Sequence, residues 1–331
     1  MLHVARARCS VHVSKPAKPL HLHAHSGGSF FFSRRLVKYT KPPLTLEDQA
    51  DQLLCRGLEA DRDELIGRLR SVSYYRLSGY SYTFRENGGD NFQKGTTLQA
   101  VWSRYTFDRR FRLIVMDAIE RVEICVRAEL VYCLAHEQGA FGYADASNLP
   151  NLSAEVHMKF VAQLEDEYQR SKERFIQHFR ATYGADHPMP PYWMITELMT
   201  FGSLLTLYKG SPTHIKKGIA SRFGVGDNVL QSWLGALNVV RNICAHHSRL
   251  WNRELGFRPM IPKKDARWHD PVEVPDGRIF GILTILKFLL DDVAPQSAWP
   301  ERLEALHAEY PSVPRRSMGF PDDWADCPIW R

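Results

Sequence analysis

The sequence predicts an all-α protein, and two observations support this. Apolar residues recur at helical spacing through most of the chain, and proline or glycine stands at each junction between the periodic stretches. The chain shows no run of alternating strands and no internal repeat. With 331 residues and 44% hydrophobic content, the chain can bury a sizeable core. We therefore expect a helical bundle of one large or two smaller domains.

Residues 1–35 are predicted to be a disordered basic tail. The first 41 residues contain eight of the 43 Lys and Arg residues and no acid, and they show no sustained helical or strand period. Two alternatives remain for this segment: a mitochondrial transit peptide, or a metal site at His21, His23 and His25. The rest of the chain contains 35 basic and 37 acidic residues, so any phosphate-binding surface there must be a local patch.

An N-terminal helical region is predicted over residues 36–100. Thr45 is a candidate N-cap for a first helix that ends near Gly57, and Asp61 is a candidate N-cap for a second helix with Glu64 three residues further on. The stretch NGGDNFQKGTT has the composition of a loop. The remaining residues, 101–331, are expected to form the larger helical domain.

A long helix from Arg104 to Glu137 is predicted at the start of the larger domain. Its edge carries Glu120, Glu123 and Arg127, which fall within about 60° of one another. The simplest interpretation is an intrahelical ion pair between Glu123 and Arg127, and the alternative is a cluster that orients a catalytic group on a neighbouring helix. Eight apolar or small residues share the core-facing side: Phe111, Val115, Ala118, Ile119, Val122, Val126, Leu130 and Cys133.

Further helices are predicted within residues 152–184, 190–211, 211–224 and 227–251. The longest apolar run, which begins at Ile279, contains a lysine and is too short to cross a bilayer, so we expect no membrane association. The six cysteines lack CxxC spacing, which favours neither a zinc site nor a disulfide framework and suits a reducing cytoplasm. We expect a cytoplasmic protein with no metal and no cofactor.

The helix predicted over residues 227–251 carries the polar side chains that suggest a function. Asp227 is its expected N-cap and Trp251 its expected end. At about 100° per residue, one side holds its apolar residues: Trp233, Leu237, Val240, Ile243, Cys244, Leu250 and Trp251. The opposite side holds a mainly polar stripe: Asn238, Arg241, Asn242, Ala245, His246, Arg249, Asn252 and Arg253.

The two adjacent histidines fall on different sides of this predicted helix. His247 lies among the apolar residues and is expected to be a hydrogen-bonded core histidine, whereas His246 lies in the polar stripe. A histidine that titrates near neutral pH can transfer protons, and an arginine can hold two phosphate oxygens. Arg241, Asn242 and His246 therefore suit metal-free RNA cleavage, in which a 2′-hydroxyl attacks its own phosphate.

Spacing alone is weak support for such a site. An arginine followed by a histidine at similar spacing occurs three more times, at Arg6 and His12, Arg180 and His187, and Arg302 and His307. Only the pair at 241 and 246 has an adjoining asparagine within a continuous polar stripe. A solvated helix face or an oligomer interface remains the alternative interpretation.

Several motifs, in order along the chain, resemble one known family from about Lys41 to the C-terminus. They are KPPLTLEDQADQLLCRGL, SVSYYRLSGYSYTFR, FDRRFRLIVMDAIERVEICVRAEL, PYWMITELMTFGSLLTLY, RNICAHHSRLWN and MGFPDDW. On these motifs the chain is identified as similar to the Abi-like abortive-infection proteins, the AbiD and AbiF group of the HEPN superfamily. These are phage-defence proteins.

The resemblance implies a HEPN-type helical bundle with an additional N-terminal helical region, packed together as one Abi-like unit. It implies that Arg241, Asn242 and His246 form a ribonuclease motif, that two copies of the chain build one composite active site, and that no metal is needed. It also implies a toxin that halts growth of the infected cell, with an RNA partner that is either the cellular target or a small noncoding RNA. By analogy, three further residues support the site: Glu120, Glu123 and Arg127.

A binding module is the rival hypothesis. In that case a dimer holds a structured noncoding RNA through the same stripe without cutting it. The residues expected to contact RNA in either case are Arg249, Asn252 and Arg253.

Overall fold

A computed structural model describes residue 39 and residues 42–331 of the chain. The predicted tail, residues 1–35, lies outside these residues, as do the transit-peptide and metal-site alternatives for it. The described residues form twelve α-helices and eight short 3₁₀ helices, and they contain two isolated β-bridges but no strand. The all-α prediction is confirmed.

The chain divides into two compact units, residues up to Trp102 and residues Ser103–Arg331. The first unit contains α1 (Leu46–Cys55), α2 (Arg62–Val72) and α3 (Tyr74–Ser81). The two predicted caps are confirmed, since the Thr45 side chain accepts a hydrogen bond from the Asp48 amide and the Asp61 side chain accepts one from the Glu64 amide. How the N-terminal region packs with the larger domain stays a prediction.

The long helix α4 extends over Leu98–Gln138, so it begins six residues before the predicted start and ends one residue after the predicted end. Its core-facing side is buried as predicted, and only Cys133 of the eight residues on that side is partly exposed. This helix supplies a continuous apolar surface along the larger unit, and its polar edge faces outward beside the candidate site.

The larger unit is completed by eight further α-helices. The central pair for the candidate site is α8 (Phe201–Gly210) and α10 (Asp227–Ala245), which pack against each other. Two further helices, α9 (Thr213–Arg222) and α11 (Ile279–Val293), also contact α10. None of the helices among the described residues combines the length and apolar character needed to cross a membrane. The eight helices are α5 (Ala154–Arg170), α6 (Arg174–Tyr183), α7 (Tyr192–Ile195), α8 (Phe201–Gly210), α9 (Thr213–Arg222), α10 (Asp227–Ala245), α11 (Ile279–Val293) and α12 (Trp299–Glu309).

Candidate active site

The motif helix α10 has one buried face and one outward face, as its sequence predicts. Trp233, Leu237 and Val240 are buried, while Arg241 is partly exposed and Asn242 is exposed. Burial of the apolar face against neighbouring helices supplies the stability of α10 and leaves the polar stripe at the surface.

The end of α10 differs from the prediction. The helix ends at Ala245, six residues before the predicted end at Trp251, and its N-cap is Gly226 instead of Asp227. His246 is the C-cap residue, and His247 adopts a left-handed backbone conformation with φ of +55°.

Two backbone hydrogen bonds close this helix end. The amide of His247 donates to the carbonyl of Cys244 at 3.0 Å, and the amide of Ser248 donates to the carbonyl of Ile243 at 2.9 Å. This pattern is a Schellman motif, in which the residue after the C-cap is left-handed and is usually glycine. Because a histidine occupies that position here, the sequence contained none of the usual signals for a helix end.

The early helix end overturns the prediction for His247. Its side chain is exposed, not part of the core, because the left-handed turn rotates it away from the apolar face of α10. His246 is exposed as well, so both histidines are accessible at the same helix end.

The three residues predicted to contact RNA lie beyond the end of α10, not on its face. Arg249, Asn252 and Arg253 are all partly exposed, and Asn252 also has a left-handed backbone, with φ of +52°. The guanidinium of Arg253 donates to the carbonyl of Arg249 at 3.2 Å. These residues therefore belong to a separate segment that continues from the motif.

This segment is attached to the core through Asp108 at the start of the larger unit. Asp108 is fully buried, and its Oδ1 accepts the backbone N–H groups of Leu250 at 3.1 Å and Trp251 at 2.6 Å. Its Oδ2 pairs with the buried guanidinium of Arg112. The guanidinium of Arg104 lies 5.1 Å from the centre of the Trp251 ring. We call the contacts of Asp108 with Arg112, Leu250 and Trp251 the Asp108 clamp.

Sequence reasoning missed Asp108, although a signal for it was present. The residue lies three positions before Phe111 and seven before Val115, which places a carboxylate on the apolar face of α4. Buried carboxylates require hydrogen-bond donors or a counter-charge. A charged residue at a core position therefore indicated a specific buried partner.

Glu123 and Arg127, which were predicted to support the site from α4, lie beside the motif. Glu123 Oε1 and Arg127 Nη2 are 2.7 Å apart, and both side chains are only 14% exposed. Burial raises the pKa of the Glu123 carboxyl, while the positive charges of Arg127 and then Arg241 act to lower that pKa. The interaction with Arg241 brings the ion pair on α4 and the motif on α10 into one electrostatic cluster. Glu120 is exposed at the edge of this cluster.

The start of α8 also contributes to the site, and sequence reasoning did not identify it. Arg127 Nη2 donates to the carbonyl of Met199 at 3.1 Å, just before the N-cap Thr200. A Cβ atom added to Gly202 would lie 3.8 Å from Nδ2 of Asn238, so the first turn of α8 approaches the polar stripe of α10 closely. The site is therefore assembled from α4, α8 and α10.

The other described arginine–histidine spacings do not form comparable sites. His307 is 4% exposed, and burial followed by the charge of Arg315 lowers its pKa to about 4. His187 stacks on Phe141, whereas the guanidinium of Arg180 lies over Tyr168, so that pair has separate aromatic partners. Arg6 and His12 lie outside the described residues.

Among residue 39 and residues 42–331, no group of three or more His, Cys, Asp or Glu side chains is placed to hold a metal ion. The polar side chains of the candidate site are arginines, asparagines, a histidine and glutamates, which are suited to proton transfer and to binding an anion.

The fold and the site define an all-α protein with an exposed arginine–asparagine–histidine motif at the end of a core helix. The chain belongs to the Abi-like protein family, whose model matches residues 67–252. The match covers more than half of the chain and includes both the α4 ion pair and the motif. It identifies the chain as a protein of the phage abortive-infection type. Comparisons with curated proteins and with solved structures find no significant match.

Proposed function

We propose that this Abi-like protein is a HEPN endoribonuclease that cleaves RNA without a metal ion and so halts growth of an infected cell. One observation carries the proposal: a surface motif of Arg241, Asn242 and His246 is electrostatically coupled, through Arg241, to the largely buried Glu123–Arg127 pair. Such a cluster combines a proton-transferring group with fixed positive charge for a phosphate.

The proposed reaction is an attack by a ribose 2′-hydroxyl on the adjacent phosphate. The new bond from the 2′-oxygen to phosphorus forms as the bond to the 5′-oxygen breaks, which leaves a 2′,3′-cyclic phosphate and a 5′-hydroxyl. A base removes the proton of the 2′-hydroxyl, and an acid donates a proton to the leaving 5′-oxygen. His246 acts in these transfers, and Arg241 stabilises the negative charge on the phosphate oxygens.

Glu123 and Arg127 are positioning residues in this scheme. Arg127 is held by Glu123 and by the carbonyl of Met199, both of which accept hydrogen bonds from its Nη2. The negative charge of the largely buried Glu123 attracts the Arg241 guanidinium and so favours its place beside the pair. Asn242 orients the His246 imidazole or binds the ribose, and Glu120 adds negative charge at the edge of the cluster.

Two copies of the chain complete the proposed active site. The reaction needs both an acid and a base, and the motif of one copy supplies one catalytic histidine, His246. The exposure of Asn242 and His246 leaves them accessible to a second copy related by two-fold symmetry. Arg249, Asn252 and Arg253, on the segment held by the Asp108 clamp, then bind phosphates on either side of the cleaved bond.

Comparison of purified wild-type protein with Arg241→Ala and His246→Ala tests the proposal. Each is incubated with total bacterial RNA in excess EDTA, and the new RNA ends are sequenced. We expect wild-type protein to leave cyclic or 3′-phosphate ends, and each substitution to slow cleavage by roughly a hundred- to ten-thousand-fold. His247→Ala is the matched control, because it removes an exposed imidazole from the adjacent position, and it should retain cleavage.

A rival function has a distinct result in the same experiment. If wild-type protein leaves the RNA intact while a discrete RNA copurifies with wild-type and His246→Ala protein alike, the chain is a binding module. Equal loss of cleavage in the His246→Ala and His247→Ala variants, with folding unchanged, would contradict the assignment of His246 as the catalytic histidine.

A further inference from the structure

A surface groove lies along α4 next to the candidate site. Its volume is about 390 Å³, and its two largest side chains, Tyr132 and Trp193, are 63% and 55% exposed. Large aromatic side chains are usually buried, and exposed ones that share a concave surface indicate a binding site. The groove is lined by Ala128, Val131, Tyr132, Ala135, His136 and Trp193.

The groove and the candidate site share two elements of the fold. On α4, Val131 follows Arg127 by four residues and lies about 40° from it around the helix axis, whereas the other α4 residues of the groove lie about 80–180° from Arg127. On the other side, Trp193 in α7 and Met199, whose carbonyl binds Arg127, lie six residues apart in one short segment. The groove therefore borders the site through Val131 and through the segment from Trp193 to Met199.

The shape of the groove favours a flat ring as its occupant. Ala128 and Ala135 leave space between the larger side chains, and the His136 ring lies 4.1 Å from the Tyr132 ring. Six lining residues are few compared with the roughly 20–30 residues that each partner contributes to a stable protein interface. A single nucleobase fits within the groove and suits its aromatic lining, on the same helix as the Glu123–Arg127 pair.

We propose that this groove binds one nucleobase of the RNA whose phosphate is held by the motif, by stacking on Tyr132 and Trp193. The inference rests on the proposed function, because it takes RNA as the ligand of the candidate site. It assigns to the groove a role in RNA binding: another base of the same strand contributes to affinity through these two rings.

A pair of matched ligands tests the groove separately from cleavage. The probes are a short fluorescent oligoadenylate and a backbone-only oligomer of equal length and charge that lacks the bases. Binding is measured with full-length His246→Ala protein, alone and combined with Tyr132→Ala or Trp193→Ala. We expect each groove substitution to weaken oligoadenylate binding by about 5- to 150-fold. Binding of the backbone-only oligomer should not change.

Control variants distinguish stacking from loss of folding. Tyr183→Ala removes another half-exposed tyrosine, outside the groove, and should leave both affinities unchanged. Trp193→Phe and Tyr132→Phe keep an aromatic ring and should retain most of the oligoadenylate affinity. Equal weakening for both ligands, or no weakening for either, would overturn the inference.

The result also separates this inference from the proposed function. If wild-type protein cleaves RNA but the groove variants bind and cut as wild type does, the inference fails and the nuclease stands. Base-dependent binding by a protein that cuts nothing would leave the groove assignment standing without the nuclease. Dissociation of a dimer by Trp193→Ala, measured by light scattering, would assign the groove to a second copy instead.

Discussion

The substitution Asp108→Asn tests how the Asp108 clamp holds the segment that follows the motif. An asparagine has nearly the same shape, and its carbonyl oxygen can still accept the N–H groups of Leu250 and Trp251. Its amide group, however, carries no charge and donates hydrogen bonds, so the buried guanidinium of Arg112 loses its counter-charge. The substitution therefore isolates the ion pair from the backbone hydrogen bonds.

The expected cost follows from the burial of both partners. The side chains of Asp108 and Arg112 are 0% and 7% exposed, and removal of one partner from such a pair costs about 3–5 kcal/mol. The double variant Asp108→Asn with Arg112→Met contains no uncompensated charge, so it should be more stable than Asp108→Asn alone. A matched control is Asp117→Asn on the same helix, whose pairs with Arg121 and Arg302 are partly exposed and should contribute at most about 1 kcal/mol.

Urea unfolding followed by tryptophan fluorescence and by circular dichroism measures these free energies of unfolding. RNA cleavage by Asp108→Asn, measured where the protein is still folded, reports whether the motif keeps its geometry. If Asp108→Asn unfolds at the same urea concentration as wild type, the assignment of a buried ion pair is wrong. Strict additivity of the two single substitutions in the double variant would equally refute the coupling between Asp108 and Arg112.

Two further predictions concern histidines. Burial lowers the pKa of His307 from an ordinary 6.5 to about 4, so the unfolded chain binds a proton more readily than the folded chain does. The free energy of unfolding therefore falls by about 3 kcal/mol as the pH drops from 6.5 to 4. His307→Phe should remove this part of the pH dependence, and urea midpoints at several pH values between 4 and 7 would show it; an unchanged pH profile would contradict burial of the neutral imidazole. His247→Gly should raise the free energy of unfolding by up to about 1 kcal/mol, because glycine adopts the left-handed conformation without the steric cost that histidine bears there. His247→Ala should show no such gain, and thermal unfolding of both variants distinguishes a left-handed helix end from a continued helix.

Local sequence signals were sufficient for much of the fold. The caps at Thr45 and Asp61 are short-range interactions between a side chain and an amide three residues away, so composition and spacing reveal them. The buried face of α4 is likewise set by a helical period that repeats along the helix. The α-helical class and the buried faces of α4 and α10 could therefore be predicted without coordinates.

The end of α10 could not be predicted in the same way. The helical pattern continues to Leu250 and Trp251, and both residues are indeed fully buried. They are buried because Asp108 binds their amides, not because the helix continues to them. The pattern correctly predicted that Leu250 and Trp251 are buried, but it predicted a helical backbone for them. The same error placed His247 in the predicted core.

The candidate site was recognised only in part for a related reason. Arg241 lies in the last turns of α10 and His246 is its C-cap residue, so their relation is local and visible in the sequence. The carbonyl of Met199 and the first turn of α8 approach from another part of the chain, and backbone groups leave no residue-type signal. Helix periodicity describes one element at a time, whereas this site is formed where three elements meet.

The Asp108 clamp also bears on the order of events during synthesis. Its two hydrogen bonds join residues 142 and 143 positions apart, so they form only after a very long loop has closed, at an entropic cost of several kcal/mol. An emerging chain can form α10 and its local helix end once that segment leaves the ribosome, but the positions of Leu250 and Trp251 require the distant carboxylate. The segment after the motif is thus fixed late in folding, and a polypeptide that stalls before Leu250 contains the arginine–histidine motif without this segment.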